Sequence, residues 1–348
     1  MRITGITIRN ILRAHAQIKE RIWYTEEKAY RYAKFFVTPA NTDEWKKISE
    51  KCTKYVILFK IIFYYGGVLI LIYQDLISGM ERLGSTKRDI CMHGIGISPE
   101  KVHENVIIAP WWEPSYIPDI GTAEYLSESD FPSVKVWNIT SDTAEMTYIK
   151  AGIGAPVLME AILTLGVTSC QQIVFIGSVG ALDDNIGIGD IVIPEYSVCG
   201  DGASRYISSD SLNNGDIFGE KAYPNTDLFN KSKKVTERIC KEKNVKWHLG
   251  RTFSIDTVFA QFIHLDEILN MGCNTIEMET AASFRAARLA DIPITALFSV
   301  SDNTVINKSL INSRIQEEME YRRYVRRELF PKIILDIFGN KNVVSLSI

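Results

Sequence analysis

The chain has 348 residues, 46% of them hydrophobic and 23% charged, which is enough for one large globular domain plus an appendage. A formal net charge of -3 leaves no basic footprint for general nucleic-acid binding, so small ligands are the expected partners. The six cysteines, Cys52, Cys91, Cys170, Cys199, Cys240 and Cys273, stand singly, without CxxC or a zinc-like Cys/His spacing, as suits a reducing cytoplasm.

The first stretch, "MRITGITIRNILRAHAQIKERIW", carries apolar residues at Ile8, Ile11, Leu12, Ile18 and Ile22. That is the rhythm of an amphipathic helix and not of a cleaved secretion signal, so no export is implied and a cytoplasmic protein is expected. Residues 55–73, "YVILFKIIFYYGGVLILIY", are long enough to reach across a bilayer. Lys60 and the Gly66–Gly67 pair favour a buried helix pair or an oligomer interface over membrane contact. Residues 1–90 thus read as a mainly helical extension of unknown function, closing in the polar run "ERLGSTKRD".

From His93 the texture changes. Strands are expected at "NVIIAP", "VKVWNI" and "EMTYIKAG", then a helix over 156–165, strands at "QQIVFIG" and "GDIVIPEYSV", and a helix around "NKSKKVTERICKEK". A strand near "VKWHLGRTFSI", a helix from about Ala260, strand "CNTI", helix "ETAASFRAARLA", strand "PITALFSV" and a helix through "SRIQEEMEYRRYVRREL" complete the series. Alternation of apolar strands with helices predicts, for residues 91–348, an α/β domain with a central sheet covered by helices on both faces.

Ligands in such sheets sit beyond the carboxyl ends of the strands. Three strands end in polar residues there: "QQIVFI" runs into Ser178 between glycines, "CNTI" into Glu277-Met278-Glu279, and "TALFSV" into Ser301-Asp302-Asn303. Each has a plain structural alternative, a tight turn for Ser178, a dipole-favoured first-turn residue for Glu279, a helix cap for Asp302. Their recurrence at corresponding strand ends favours a site.

The ordered pieces "MHGIGIS", "AGIGAP", "FIGSVGALDDNIGIGDIVIPE", "GDGASRY", "FSIDTVF", "NTIEMETAASF" and "LFSVSDN" resemble the nucleoside phosphorylase and nucleosidase superfamily over roughly residues 92–340. The resemblance implies that fold, with a mixed central sheet, and a homo-oligomer, dimer or hexamer, that builds its sites at subunit contacts. It implies ribose held by Glu279 with Met278 under the sugar, because a carboxylate accepts two hydrogen bonds from a vicinal diol. Glu277 is either structural or faces the base side. His93 occupies the place of a histidine that reaches the 5′ end of the sugar, often across a subunit boundary. Asp302 matches the acid that protonates a purine at N7, and Phe259 would stack on the base. Pyrimidine-reading relatives use a glutamine and an arginine after the "FSIDTVF"-like motif; here Gln261 is present, but Ile263 and His264 stand where the arginine is expected.

The pattern breaks at the nucleophile. Phosphorylases of this branch hold phosphate through a glycine and an arginine in a "PGDPxR"-like loop, a second arginine before the "GS" turn, and that turn's serine. This chain reads "IIAPWWEPSYI", which puts Trp112 and Tyr116 at the loop positions and Phe175 at the second arginine; only Ser178 survives. Loss of charge from a dianion site favours water as the nucleophile, with Glu113 as its holder. The expected function is therefore hydrolytic cleavage of the N-glycosidic bond of a purine nucleoside or nucleotide. The alternatives are a phosphate-dependent purine nucleoside phosphorylase and a non-catalytic nucleoside sensor. A 5′-phosphate would call for basic residues such as Arg9, Arg13, Lys19 and Arg21. No metal or organic cofactor is indicated.

Overall fold

The computed structural model describes residues 71–128, 134–208, 216–308 and 315–339. All lie in the unit that begins at Ile70. Residues 55–70, which carry most of the membrane-length stretch, and the basic residues Arg9, Arg13, Lys19 and Arg21 lie outside the described part. Among the described residues no helix is long and apolar enough to cross a membrane.

Two helices open the described part, α1 (Tyr73–Glu81) and α2 (Lys87–Gly94). The Thr86 hydroxyl accepts from the Asp89 backbone N–H while the Asp89 carboxylate accepts from the Thr86 N–H, a reciprocal cap that starts α2 sharply. Helix α3 follows at Ala155–Leu165. Tyr73 donates its hydroxyl to the Leu163 carbonyl at 2.5 Å, and Ile77 and Ile90 join the core beside α3. Residues 73–90, read from sequence as the end of the extension, thus pack on the α/β part.

Ten strands form one sheet: β1 (Asn105–Ala109), β2 (Thr122–Tyr125), β3 (Lys135–Thr140), β4 (Glu145–Lys150), β5 (Gln172–Ala181), β6 (Ile191–Gly200), β7 (Lys221–Ala222), β8 (Trp247–Ile255), β9 (Thr275–Glu277) and β10 (Ile294–Asn303). β10 pairs with both β5 and β6, so β5, β10, β6, β8 and β9 close into a ring, from which β1, β4, β3 and β2 extend as an open sheet. The pairings β1–β4, β1–β5, β5–β10, β6–β8 and β8–β9 are parallel; the others are antiparallel, which makes the sheet mixed as expected. β2 and β7 escaped the sequence reading because β2 is exposed at every position and β7 has two residues.

Alternate residues of the central strands feed two cores. Val106, Ile108, Phe175 and Phe298 face α3 and α7 (Thr280–Leu289). Ile107, Val174, Ile176 and Leu297 face α4 (Thr226–Lys243) and the C-terminal helix. Burial on both faces is why β1 reads as an unbroken apolar run. The C-terminal helix comprises α8 (Gln316–Tyr324), one π-helical turn (Val325–Leu329) and α9 (Phe330–Phe338). Two short helices, α5 (Val258–Ile263) and α6 (Leu265–Asn270), follow β8.

Candidate active site

The pair of carboxylates flanking Met278 divides its labour. β9 ends at Glu277 and α7 begins at Thr280, whose first N–H groups have no partner within the helix. Glu277 supplies one: its Oε2 accepts from the N–H of Glu279 at 2.7 Å and of Thr280 at 2.8 Å, and its Oε1 accepts from the Ser254 hydroxyl at 2.5 Å. Ser254 in turn accepts from the Ala281 N–H at 2.9 Å and contacts the Ser197 hydroxyl at 2.9 Å. Glu277 is thus a structural cap, the first of the two readings its sequence left open.

With the helix end already satisfied, Glu279 turns elsewhere although it holds the capping position. Its Oε1 accepts from the Gly154 N–H at 2.7 Å, tying the start of α7 to the start of α3. Gly154 has φ 111°, a region that L side chains rarely adopt, and this conformation flanks the helix start whose N–H meets Glu279. Glu279 is only 5% exposed. Burial, reinforced by the charge of Glu277, pushes its pKa up to about 8. Burial also raises Glu277, against hydrogen bonds that favour its ionised form. Of the two, Glu277 receives more hydrogen bonds that favour its ionised form, so burial and the neighbouring charge act most strongly on Glu279, which favours its protonated form. Met278 between them is half-buried.

Asp302 lies one strand away. A bulge between Val300 and Asp302 shifts the β10–β5 register so that Asp302 pairs with Gly180, which is itself paired with Ile276 of β9. The Ser301 hydroxyl donates to Asp302 Oδ1 at 2.5 Å, and a Cβ on Gly180 would lie 3.1 Å from Asp302 Oδ2 and 3.2 Å from Ile276 Cγ2. Glycine is therefore what lets the acid and the β9 strand end approach β5. Asn303 is structural, donating to the carbonyls of Asp183 and Ile186 to pin the loop after β5. Asp302 and Ile276 of β9 thus flank Gly180 on either side of β5, Ser178 lies two residues earlier in that strand, and Glu279 follows β9 and reaches the Gly154 turn after β4.

Ser178 accepts a hydrogen bond at 2.6 Å from the guanidinium of Arg322, a buried residue of α8. The three positions that the resemblance assigns to phosphate contacts are filled as their side chains foretell. Trp112 is fully buried and packs on Phe330; Phe175 is buried edge-on against Phe298; Tyr116 lies under Arg326, whose guanidinium carbon is 4.6 Å from the ring centre. Glu113 binds Lys150 at 2.7 Å and Lys135 at 3.3 Å, and the two ammonium groups hold its pKa below the usual carboxylate range. It is therefore an ionised acceptor already engaged by two cations.

Two expected residues stand apart from this cluster within one chain. His93 is exposed in the last turn of α2, where a Cβ on the adjacent Gly94 would collide with Thr164 near the C-terminal end of α3. Gly154 is at the other end of that helix, about 15 Å away at 1.5 Å per residue. Phe259 on α5 is 92% exposed, beside Ile263 at 81%. Gln261 on the same short helix is buried. Sequence reasoning missed Gly154 as a partner of Glu279, Ser254 as support for Glu277, and Arg322 and Arg326. The arginine pair carried a usable signal, two cations four residues apart in a helix whose Val325 and Leu329 are core.

This arrangement, two buried acids at or just after the ends of strands that flank β5 in a closed mixed ring, accords with the comparison by sequence model, which matches the phosphorylase superfamily over residues 122–320, or 199 of 348. The chain belongs to the phosphorylase superfamily. Within that superfamily it is 26% identical over 153 residues to a purine nucleoside phosphorylase DeoD-type of Geobacillus stearothermophilus, covering 44% of this chain and 61% of that protein. It is 26% identical over 133 residues to a purine nucleoside phosphorylase DeoD-type of Anoxybacillus flavithermus, covering 38% and 52%. The chain thus spans less than two thirds of these curated relatives. Among solved structures, a uridine phosphorylase from Vibrio fischeri ES114 superposes with a TM-score of 0.57 at 21% identity, covering 74% of this chain and 98% of that one. This likeness shows the superfamily fold.

Proposed function

We propose that the protein cleaves the N-glycosidic bond of a purine nucleoside or nucleotide. The observation that carries this reading is Glu279: a buried carboxyl, relieved of helix capping by Glu277, anchored on one oxygen and placed one strand from a second buried acid. A ribose diol bound to Glu279 would leave the base toward Asp302. There, protonation of a purine nitrogen makes the base a better leaving group as an oxocarbenium-like sugar forms. The Ser301 hydroxyl fixes one Asp302 oxygen and so orients the other. Met278 would floor the sugar, and Phe259 would stack on the base once ligand or a second subunit covers it.

Water is the nucleophile this reading favours. Trp112 and Phe175 are buried apolar rings at positions where the resemblance places phosphate contacts, and an oxocarbenium-like sugar needs only a positioned water. Glu113, ionised beside Lys135 and Lys150, would orient that water. One observation favours the phosphate-dependent reading instead, namely the Arg322 guanidinium on Ser178. A chromatographic assay for free base from adenosine, inosine and AMP, with and without inorganic phosphate, decides between them. Base released without phosphate, with ribose or its 5-phosphate as co-product, supports hydrolysis. Release only with phosphate, with a sugar 1-phosphate as co-product, supports phosphorolysis, and release from no purine substrate rejects the proposal.

A further inference from the structure

The acid proposed to protonate the base is bracketed by a single loop, residues 183–190. Val300 donates its N–H to the Asp190 carbonyl at 3.0 Å and accepts from the Gly189 N–H at 2.9 Å, carrying the β10–β6 pairing past its last registered pair, Ser299 with Ile191. Asn303 holds the other end of the same loop through the carbonyls of Asp183 and Ile186, at 2.8 and 2.9 Å. Between these two clamps lie the bulge at Ser301 and, directly after it, Asp302. The place of the loop therefore sets the place of the acid. Bulges recur beside active sites because they re-aim a side chain.

One buried carboxylate holds that loop. Asp190, 3% exposed, closes the loop on itself by accepting from the Gly187 N–H at 2.9 Å, and the same Oδ2 meets His248 Nε2 of β8 at 2.8 Å. Its Oδ1 accepts from the Tyr321 hydroxyl of α8 at 3.4 Å. Burial and the Asp190 charge push the Tyr321 phenol up to about 12, so at neutral pH it remains a donor. The Gly189 backbone lies so close to α8 that a Cβ there would meet Tyr321 at 2.5 Å and the Arg322 backbone nitrogen at 3.0 Å. Two elements that do not carry the acid thus fix the loop that does hold it. We propose that His248 and Tyr321, acting through Asp190, are positioning residues for Asp302, holding the 183–190 loop from β8 and α8 and so setting where the acid meets the base. This rests on the proposed role of Asp302. A misplacement of about 1 Å can cost up to about a hundredfold in rate, and members of one buried hydrogen-bonded network act together.

A misplaced acid and a loosened fold leave different traces. A purine nucleoside methylated at N7 already carries the positive charge that the acid would supply, so its base leaves without a proton from Asp302. Steady-state kinetics on the full chain would compare inosine and adenosine with their N7-methylated forms. Tyr321→Phe and His248→Ala should each lower kcat on the unmethylated nucleosides at least about tenfold, with KM and the rates on the methylated forms held within about twofold. His248→Gln, which can still offer an N–H to Asp190, should recover part of the loss. Arg238→Gln, which removes the ion pairs of Arg238 with Glu242 and Asp336, is the control and should leave the ratio of the two rates unchanged. If Asp302→Asn shows the selective loss while Tyr321→Phe and His248→Ala lose nothing, lose equally on both kinds of nucleoside or lose only in KM, the proposal is overturned and the acid stands. Asp302→Asn without selective loss would reject the acid itself, and no base from the wild type would reject the catalytic reading; either outcome removes the role these two residues are proposed to serve.

Discussion

Burial and the neighbouring Glu277 charge push the Glu279 pKa up to about 8, which favours its protonated form at neutral pH. To accept hydrogen bonds from both hydroxyls of a ribose Glu279 must release that proton. Nucleoside affinity should therefore rise with pH up to about 8 and level off above it, with close to one proton released on binding. Calorimetry in two buffers of different ionisation heat measures this directly; flat affinity with no proton release would show that Glu279 does not meet the sugar as a carboxylate. The same shift fixes a stability trend. An unfolded glutamate loses its proton near 4.5 and folded Glu279 near 8, so within that window the unfolded state holds fewer protons and stability falls as pH rises. Glu279→Gln should flatten that slope and gain stability at pH 7, by up to about 3 kcal/mol.

At the scale of elements, two helix starts and three strand ends are fastened by single groups. Glu277→Ala would leave the first N–H groups of α7 and the Ser254 hydroxyl without their acceptor, costing roughly 3 kcal/mol in denaturant unfolding. Gly154→Ala meets no atom closer than 3.9 Å, so its cost is conformational, about 1–2 kcal/mol, and should be matched by weaker nucleoside binding as the N–H to Glu279 is displaced. A Gly154→Ala protein with unchanged stability and binding would show that the α3 turn does not position the carboxyl. These fastenings mark where the sequence was readable. The polar residues near the ends of β5, β9 and β10 stood out in the sequence because they interrupt apolar runs that are otherwise buried. The division of roles between Glu277 and Glu279 was not readable, since it depends on Ser254 and Gly154, which are 23 and 125 residues away in the chain. Nor was the Arg322–Ser178 contact, 144 residues apart, which needs the ring closure by β10 and the helix that follows it.

For the whole molecule, the placement of His93 has a consequence. Within one chain it lies toward the far end of α3 from Gly154, so a histidine that serves the sugar must serve a neighbour's site. The apolar face of α5, with Phe259 and Ile263 exposed, is the kind of surface that a second subunit covers. Co-expression of His93→Ala with Glu279→Gln should then restore activity above either variant alone, because one mixed site carries both native residues. No recovery, with both variants impaired, would place His93 outside the site. The two-sided sheet was legible because its central strands are buried on both faces, whereas assembly leaves little periodic trace in a single chain. Asp302 and Glu279 are proposed to act on one bond, and the deciding measurement is free-base release from adenosine and AMP by wild type, Asp302→Asn and Glu279→Gln. If they do, the wild type releases base, Asp302→Asn loses at least about a hundredfold in kcat, and Glu279→Gln raises KM and lowers kcat. Base release at wild-type rates by both variants would show that they do not.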